Sequence, residues 1–209
     1  MLDEFRRSFS PSYEAVIQGI EEQLGQKATG RPAKSTTSIV EKLNRESIRL
    51  TQIQDIAGCR IVLSDVSEQE RVVADLIRIL PKVTVIDRRT SPSNGYRAVH
   101  VVVDSQGKLI EIQVRTSLQH LWAELSEKYS DVVDPGLKYG KGDETFLKLL
   151  SGISNNIAGI ESIEQDLNAT LQNLPSTSSE EVRAKLILVK EDARKMMEAG
   201  IASLGQVKG

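Results

Sequence analysis

The sequence predicts an α+β fold, a mixed β-sheet flanked by helices and followed by a C-terminal helical tail. Three observations carry this reading. Segments with apolar residues at helical spacing alternate with short β-branched runs from residue 12 to residue 130. Two of those runs, 97–104 and 108–115, are separated by Ser105-Gln106-Gly107, which is the pattern of a hairpin. Beyond residue 143 only the helical period persists, with Phe146, Leu149, Leu150, Ile153, Ile157 and Ile160 recurring along one stripe. The expected organisation is a domain over residues 1–142 and a helical extension over 143–209.

In chain order, residues 12–24 read as a first helix and 25–33, with two glycines and a proline, as a loop. Residues 36–47 read as a helix with Ser35 or Thr36 as its N-cap. Residues 58–64 read as a strand, 67–80 as a helix stopped by Pro81, and 82–86 as a short strand. Residues 87–95 form a loop before the hairpin. A helix follows over 117–130, then a loop over 131–142. Two helices, 143–172 and 178–203, are separated by the segment LPSTSS.

Composition excludes several classes. Of 209 residues, 39% are hydrophobic and 27% charged, which fits a globular domain rather than disorder. No apolar run approaches the ~20 residues of a spanning helix, so no membrane association is expected. The opening MLDEFRRSFS lacks an apolar signal core, and a cytoplasmic protein is the expectation. A single cysteine, Cys59, and two histidines, His100 and His120, rule out a disulfide framework and disfavour a His-rich metal centre. Cys59, within an apolar strand, and Trp122, among leucines at helical spacing, read as core residues.

The formal charge of −2 is unevenly spread. Residues 27–62 hold seven basic and three acidic side chains, and residues 82–100 hold four basic and one acidic. From 143 onward the balance turns acidic. Two positive segments suggest an anionic ligand. Lys34, Ser38, Lys42, Arg45 and Arg49 fall on one helix face, beside the loop that carries Arg31. Such a stripe is either a solvated helix face or a polyphosphate site, the latter held by charge-assisted hydrogen bonds. On the second hairpin strand, Glu111, Gln113 and Arg115 share a face, and on the first Tyr96, Ala98 and His100 do. These faces are either solvent-washed or the wall of a nucleotide pocket, with Tyr96 able to stack on a base. Asp55 precedes a strand and either starts a turn or, paired with Glu111, holds Mg²⁺ beside substrate phosphates. No P-loop or dinucleotide fingerprint occurs.

Five ordered blocks carry a resemblance. They are Arg31, Lys34, Ser38-Ile39, Lys42-Leu43 and Arg45; Asp55-Ile56-Ala57-Gly58-Cys59-Arg60-Ile61-Val62; Asn94-Gly95-Tyr96-Arg97-Ala98-Val99-His100; Glu111-Ile112-Gln113-Val114-Arg115-Thr116; and Trp122-Ala123-Glu124. Together they resemble the synthetase domain of the RelA/SpoT alarmone synthetases, over roughly residues 12–140. The resemblance implies a nucleotidyltransferase-like synthetase domain in a small, single-domain enzyme. The implied chemistry is transfer of the β,γ-pyrophosphate of ATP to a ribose 3′-hydroxyl, releasing AMP.

By resemblance, Arg31, Lys34, Ser38, Lys42 and Arg45 would hold the ATP phosphates and Arg60 would pack on the adenine. Asp55 and Glu111 would be the catalytic carboxylates and bind Mg²⁺. Tyr96 would stack on the acceptor base, with His100, Gln113 and Arg115 completing the pocket and Arg88 and Arg89 reaching phosphates. The expected acceptor is GDP or GTP; the alternatives are an adenine nucleotide or the 3′ end of tRNA, as in toxin-type small synthetases, and a non-catalytic nucleotide-binding module. Two departures from the family pattern stand out. Two residues rather than one separate Arg31 from Lys34, and Ala98 replaces the usual serine. The apolar stripe of the tail suggests a homo-oligomer or a neutralising partner protein docking there.

Overall fold

The computed structural model describes residues 2–174 and 180–206. The chain forms two compact units. The first comprises the residues up to Leu63, Glu68–Asp87 and Ala98–Arg115; the second comprises Ser64–Ser67, Arg88–Arg97 and the residues from Thr116 on. This division does not follow the expected boundary at residue 142.

The first unit contains helices α1 (Leu2–Arg7) and α2 (Ser10–Leu24), then β1 (Thr29–Arg31), α3 (Thr36–Glu46), β2 (Ala57–Leu63), α4 (Val66–Ile79), β3 (Val83–Asp87), β4 (Val99–Ser105) and β5 (Lys108–Thr116). The five strands form one mixed sheet in the order β1-β2-β5-β4-β3. Two elements depart from the expectation. Residues 2–7 are helical, and residues 29–31 of the presumed loop pair antiparallel with β2, Gly30 opposite Cys59 and Arg31 opposite Gly58. A three-residue edge strand that includes a glycine is too short to show a period of two.

Strand alternation makes the sheet two-faced. Cys59, Ile61, Val101, Ile110 and Ile112 are buried with Ile20 of α2, Ile39 of α3 and Leu76 of α4. The opposite face carries Gly58, Arg60, His100, Glu111 and Gln113. The hairpin closes on Gln106 and Gly107, both at positive φ (56° and 78°), with Ser105 opposite Lys108. That is the twist-matched two-residue turn of a tight hairpin. Burial with the Glu111 charge nearby pushes the Cys59 thiol up to about 12, so it is an inert core residue, as expected.

The second unit contains α5 (Ser117–Val132), α6 (Glu144–Asn173) and α7 (Glu180–Leu204). Thr116 caps α5 in a reciprocal capping box with Gln119, and Asp143 caps α6. Leu118, Trp122, Leu150, Ile153, Ile157 and Ile201 form its core. The stripe at 146–160 is therefore covered within the chain at Leu150, Ile153 and Ile157, which removes the reason to expect another chain over those three; Leu149 stays exposed. Of the expected LPSTSS break, residues 175–179 lie outside the described residues, as do the first two residues of the helix expected over 178–203. Among the described residues, no helix is long and apolar enough to cross a membrane.

Candidate active site

The basic stripe of α3 is built as its spacing suggests at Ser38, Lys42 and Arg45; Lys34 precedes the N-cap, and Arg49 falls off the stripe because the helix ends at Glu46, with Ser47 at φ 50° and Arg49 extended. Ser35 caps the helix, its Oγ accepting from the Ser38 amide at 3.2 Å and donating to the Ser38 hydroxyl at 2.8 Å. Lys34 is fixed just before the helix: its amide donates to the Ile56 carbonyl at 2.7 Å, and its own carbonyl accepts from Arg6 at 2.6 Å. These anchors set the Lys34 side chain beside the entrance to β2, where Asp55 stands. Lys34 Nζ pairs with Asp55 Oδ2, and Lys42 Nζ donates to Asp55 Oδ1 at 2.9 Å. One carboxylate thus holds two members of the stripe. Glu46, which the helical spacing sets off the stripe, reaches back to it, with Arg45 at 2.9 Å and Lys42 at 3.8 Å.

Burial pushes the Asp55 carboxyl up, but Lys34 and Lys42 outweigh it and hold it below the ordinary carboxylate range. Arg31 and Arg60 lie on the outer two strands of this edge. Register puts Arg31 opposite Gly58 and Thr29 opposite Arg60, so both arginines belong to the polar sheet face. Gly58 is needed there, since a Cβ on it would lie 2.8 Å from the Glu111 carbonyl and push β2 off β5.

Glu111 is the centre of a second cluster. His100 opposes Gln113 across the β4–β5 ladder, so both share the face of Glu111. His100 Nδ1 sits 3.0 Å from Glu111 Oε1, and Gln113 Nε2 donates to Glu111 Oε2 at 2.8 Å. Arg115 then donates to Gln113 Oε1 at 2.7 Å. Both carboxylate oxygens are therefore held, and the amide that holds one of them is itself oriented. Burial raises the Glu111 carboxyl, the bonds from His100 and Gln113 more than reverse this, and the Asp55 charge works against them. Glu111 is thus ionised at neutral pH and feels Asp55. Asp55 and Glu111 are the carboxylates here that could hold a hard divalent ion, one that keeps further ligands from water or phosphate.

Arg88, Arg89 and Tyr96 belong to the second unit. The alternation expected to put Tyr96 and Ala98 on the His100 face does not hold, because β4 begins only at Val99. Ser93 and Tyr96 exchange backbone hydrogen bonds of 3.2 and 2.9 Å around Asn94 and Gly95, both at positive φ, and this turn interrupts the strand. Tyr96 instead packs, half-buried, on the helical core.

Comparison with known proteins shows what the chain resembles. Residues 30–130 match the region found in RelA / SpoT proteins. An uncharacterised protein of Mycobacterium tuberculosis is 35% identical over 145 residues, 66% of this chain and 52% of that protein. The GTP pyrophosphokinase of Photobacterium angustum is 39% identical over 101 residues, 46% of this chain and 13% of the enzyme. The chain thus spans about half the length of the first relative and far less of the second. Small alarmone synthetase 1 from Bacillus subtilis, solved bound to its product pppGpp, has a TM-score of 0.60 at 24% identity, covering 82% of this chain and 98% of that one, which shows a common fold. Residues 30–130, just under half of the chain, are therefore a RelA/SpoT-type domain.

Proposed function

We propose that the chain transfers the β,γ-pyrophosphate of ATP to the 3′-hydroxyl of GDP or GTP, releasing AMP and forming (p)ppGpp. The observation that carries this reading is Asp55 paired with Lys34 and Lys42, in the same sheet unit as a second ionised carboxylate, Glu111. The RelA/SpoT region supports it, as does a protein of the same fold solved with pppGpp as its product.

In this reading, Arg31, Lys34, Ser38, Lys42 and Arg45 hold the triphosphate of ATP and Arg60 lies against the adenine. Tyr96 takes the acceptor base, Arg88 and Arg89 reach acceptor phosphates, and Arg115 lines the acceptor side. His100 and Gln113 hold the two oxygens of Glu111, which orients that carboxylate for the ribose hydroxyl. Asp55 and Glu111 would hold Mg²⁺, which when bound offsets phosphate charge. The ribose 3′-oxygen bonds to the β-phosphorus as the bond from that phosphorus to the α–β bridging oxygen breaks. AMP leaves with the electron pair, and the hydroxyl proton passes to Glu111 or solvent. Such transfer depends mainly on positioning and charge stabilisation, which two clusters of fixed side chains supply. A carboxylate held below its usual range is a weak base, so proton removal comes late.

The test is incubation of the pure protein with ATP labelled in the γ-phosphate and, separately, GDP, GTP, ADP and tRNA. Labelled guanosine product with one AMP per transfer is expected. Product with tRNA or ADP alone would overturn the guanosine acceptor, and no transfer to any acceptor would overturn the enzymatic reading.

A further inference from the structure

We infer that Ser154 of α6, with Arg97, is a positioning residue for the acceptor, so that the C-terminal helices serve the reaction by fixing the segment that carries Tyr96. This rests on the reading that Tyr96 receives the acceptor base.

Tyr96 is flanked by Gly95 and Arg97, and one buried hydroxyl holds both neighbours. Ser154, 2% exposed, donates its Oγ proton to the Gly95 carbonyl at 2.6 Å and accepts from Arg97 Nε at 3.0 Å. A serine hydroxyl has one donor and two lone pairs, so both bonds are made at once. Arg97 extends the clamp. Its other guanidinium nitrogens donate to the Arg89 carbonyl and to Asn155 Oδ1 at 3.3 Å. The planar fork thus joins the start of the 88–97 segment to its end, and both to α6. A lysine has the charge but not the fork.

The seat beneath the turn is equally close. Gly95 has φ +87°, and a Cβ there would lie 2.7 Å from the Trp122 ring. Trp122 is itself held, donating its Nε1 proton to the Leu150 carbonyl of α6 at 2.8 Å. The Asn94 side chain abuts Gly140. The segment bearing Arg88, Arg89 and Tyr96 therefore rides on α5 and α6. A stacking ring binds a base at less ordering cost when the chain that carries it is already fixed, and here the residues on both sides of the tyrosine are held.

The test is steady-state kinetics with ATP and GDP varied separately, on wild type, Ser154→Ala, Arg97→Lys, Tyr96→Ala and the Ser154→Ala/Tyr96→Ala double variant. For Ser154→Ala and Arg97→Lys, we expect the KM for GDP to rise about tenfold, the scale of one lost hydrogen bond, with the KM for ATP unchanged. The double variant should be no worse than Tyr96→Ala alone. Equal changes in both KM values, or none, would overturn the inference. A normal Ser154→Ala enzyme beside an impaired Tyr96→Ala enzyme would defeat the anchoring alone, whereas an unaffected Tyr96→Ala enzyme would defeat the stacking reading. If Ser154→Ala does not fold, shown by loss of calorimetric ATP binding, Arg97→Lys decides by the same split.

Discussion

Asp55 in the sheet unit and Glu164 in the helical unit are both acids held by basic side chains, yet their surroundings differ. Asp55, with 18% of its side chain exposed, meets two lysines that are each 20–22% exposed. Glu164 is 3% exposed, and Arg194 donates to both of its oxygens at 2.8 Å while also donating to Ser117 at 2.6 Å. Beside it Glu161, Gln119 and Thr116 are buried and bonded to one another. The Asp55 cluster remains partly exposed, so in the proposed reading its two lysines can turn from the carboxylate to a phosphate. The network of Glu164, Glu161 and their partners is sealed and mutually bonded, which suits a scaffold. These two acids thus differ in exposure, and in the proposed reading the partly exposed Asp55 serves chemistry while the sealed Glu164 serves architecture.

The largest effect that would sharpen this contrast is on turnover. Asp55→Asn and Glu111→Gln should each lower kcat by about 10³-fold or more, within or beyond the range of a lost acid–base group, while circular dichroism stays that of wild type. Either variant turning over near the wild-type rate would break the assignment of Asp55 and Glu111 to chemistry.

The corresponding change in the sealed network should act on stability. Arg194→Ala leaves the buried Glu164 carboxylate without its guanidinium, and a broken buried pair costs about 3–5 kcal/mol. Urea denaturation should show that loss, with calorimetric ATP affinity unchanged in the protein that remains folded. A stability change under 1 kcal/mol would mean that the network is solvated after all.

Lys42→Ala should weaken ATP binding by ~1.5–3 kcal/mol, the scale of a hydrogen bond to a charged group. Lys195→Ala, at an exposed position of α7 whose partner is Glu191 at 3.5 Å, should leave ATP affinity unchanged. Equal affinities in the two variants would show the α3 stripe to be an ordinary solvated face.

Much of this was legible in the chain, for reasons that differ by residue. The α3 stripe was readable at Ser38, Lys42 and Arg45 because a helix repeats at fixed steps; Lys34 joins it through its backbone bond to Ile56 ahead of the cap, and Arg49 leaves it because the chain turns at Ser47. The Glu111 face was readable because β5 is a long, regular strand. Tyr96 was misplaced because alternation is trustworthy only inside a strand, and Asn94-Gly95 turns the chain before β4 begins. The edge strand at Thr29–Arg31 was lost because three residues cannot display a period. Ser154 gave no signal, since a small polar residue on a helix announces neither burial nor a partner distant in sequence. The bond between His100 and Glu111 was likewise hidden, because register, not composition, brings them together.

The smallest expected effect concerns Glu161 and has a definite sign. Burial raises its carboxyl above the ordinary value; the bonds from Thr116 and Gln119 and the Arg194 charge lower it, and the Glu164 charge raises it, with a net rise. The folded state therefore favours the protonated acid. Its stabilising contribution is complete below the ordinary value near 4.5 and is lost as pH rises through the higher folded value. Above that value the buried charge works against folding. Glu161→Gln removes that charge while its amide still offers an acceptor to Gln119 and a donor to Thr116. The variant should be more stable than wild type at pH 7, on the order of 1 kcal/mol, and the difference should shrink as pH falls towards 4.5. Thermal melts of both proteins across this range measure it. A variant less stable than wild type at pH 7 would mean that the carboxylate charge is needed by Arg194, making Glu161 part of the ion pair rather than a buried acid beside it.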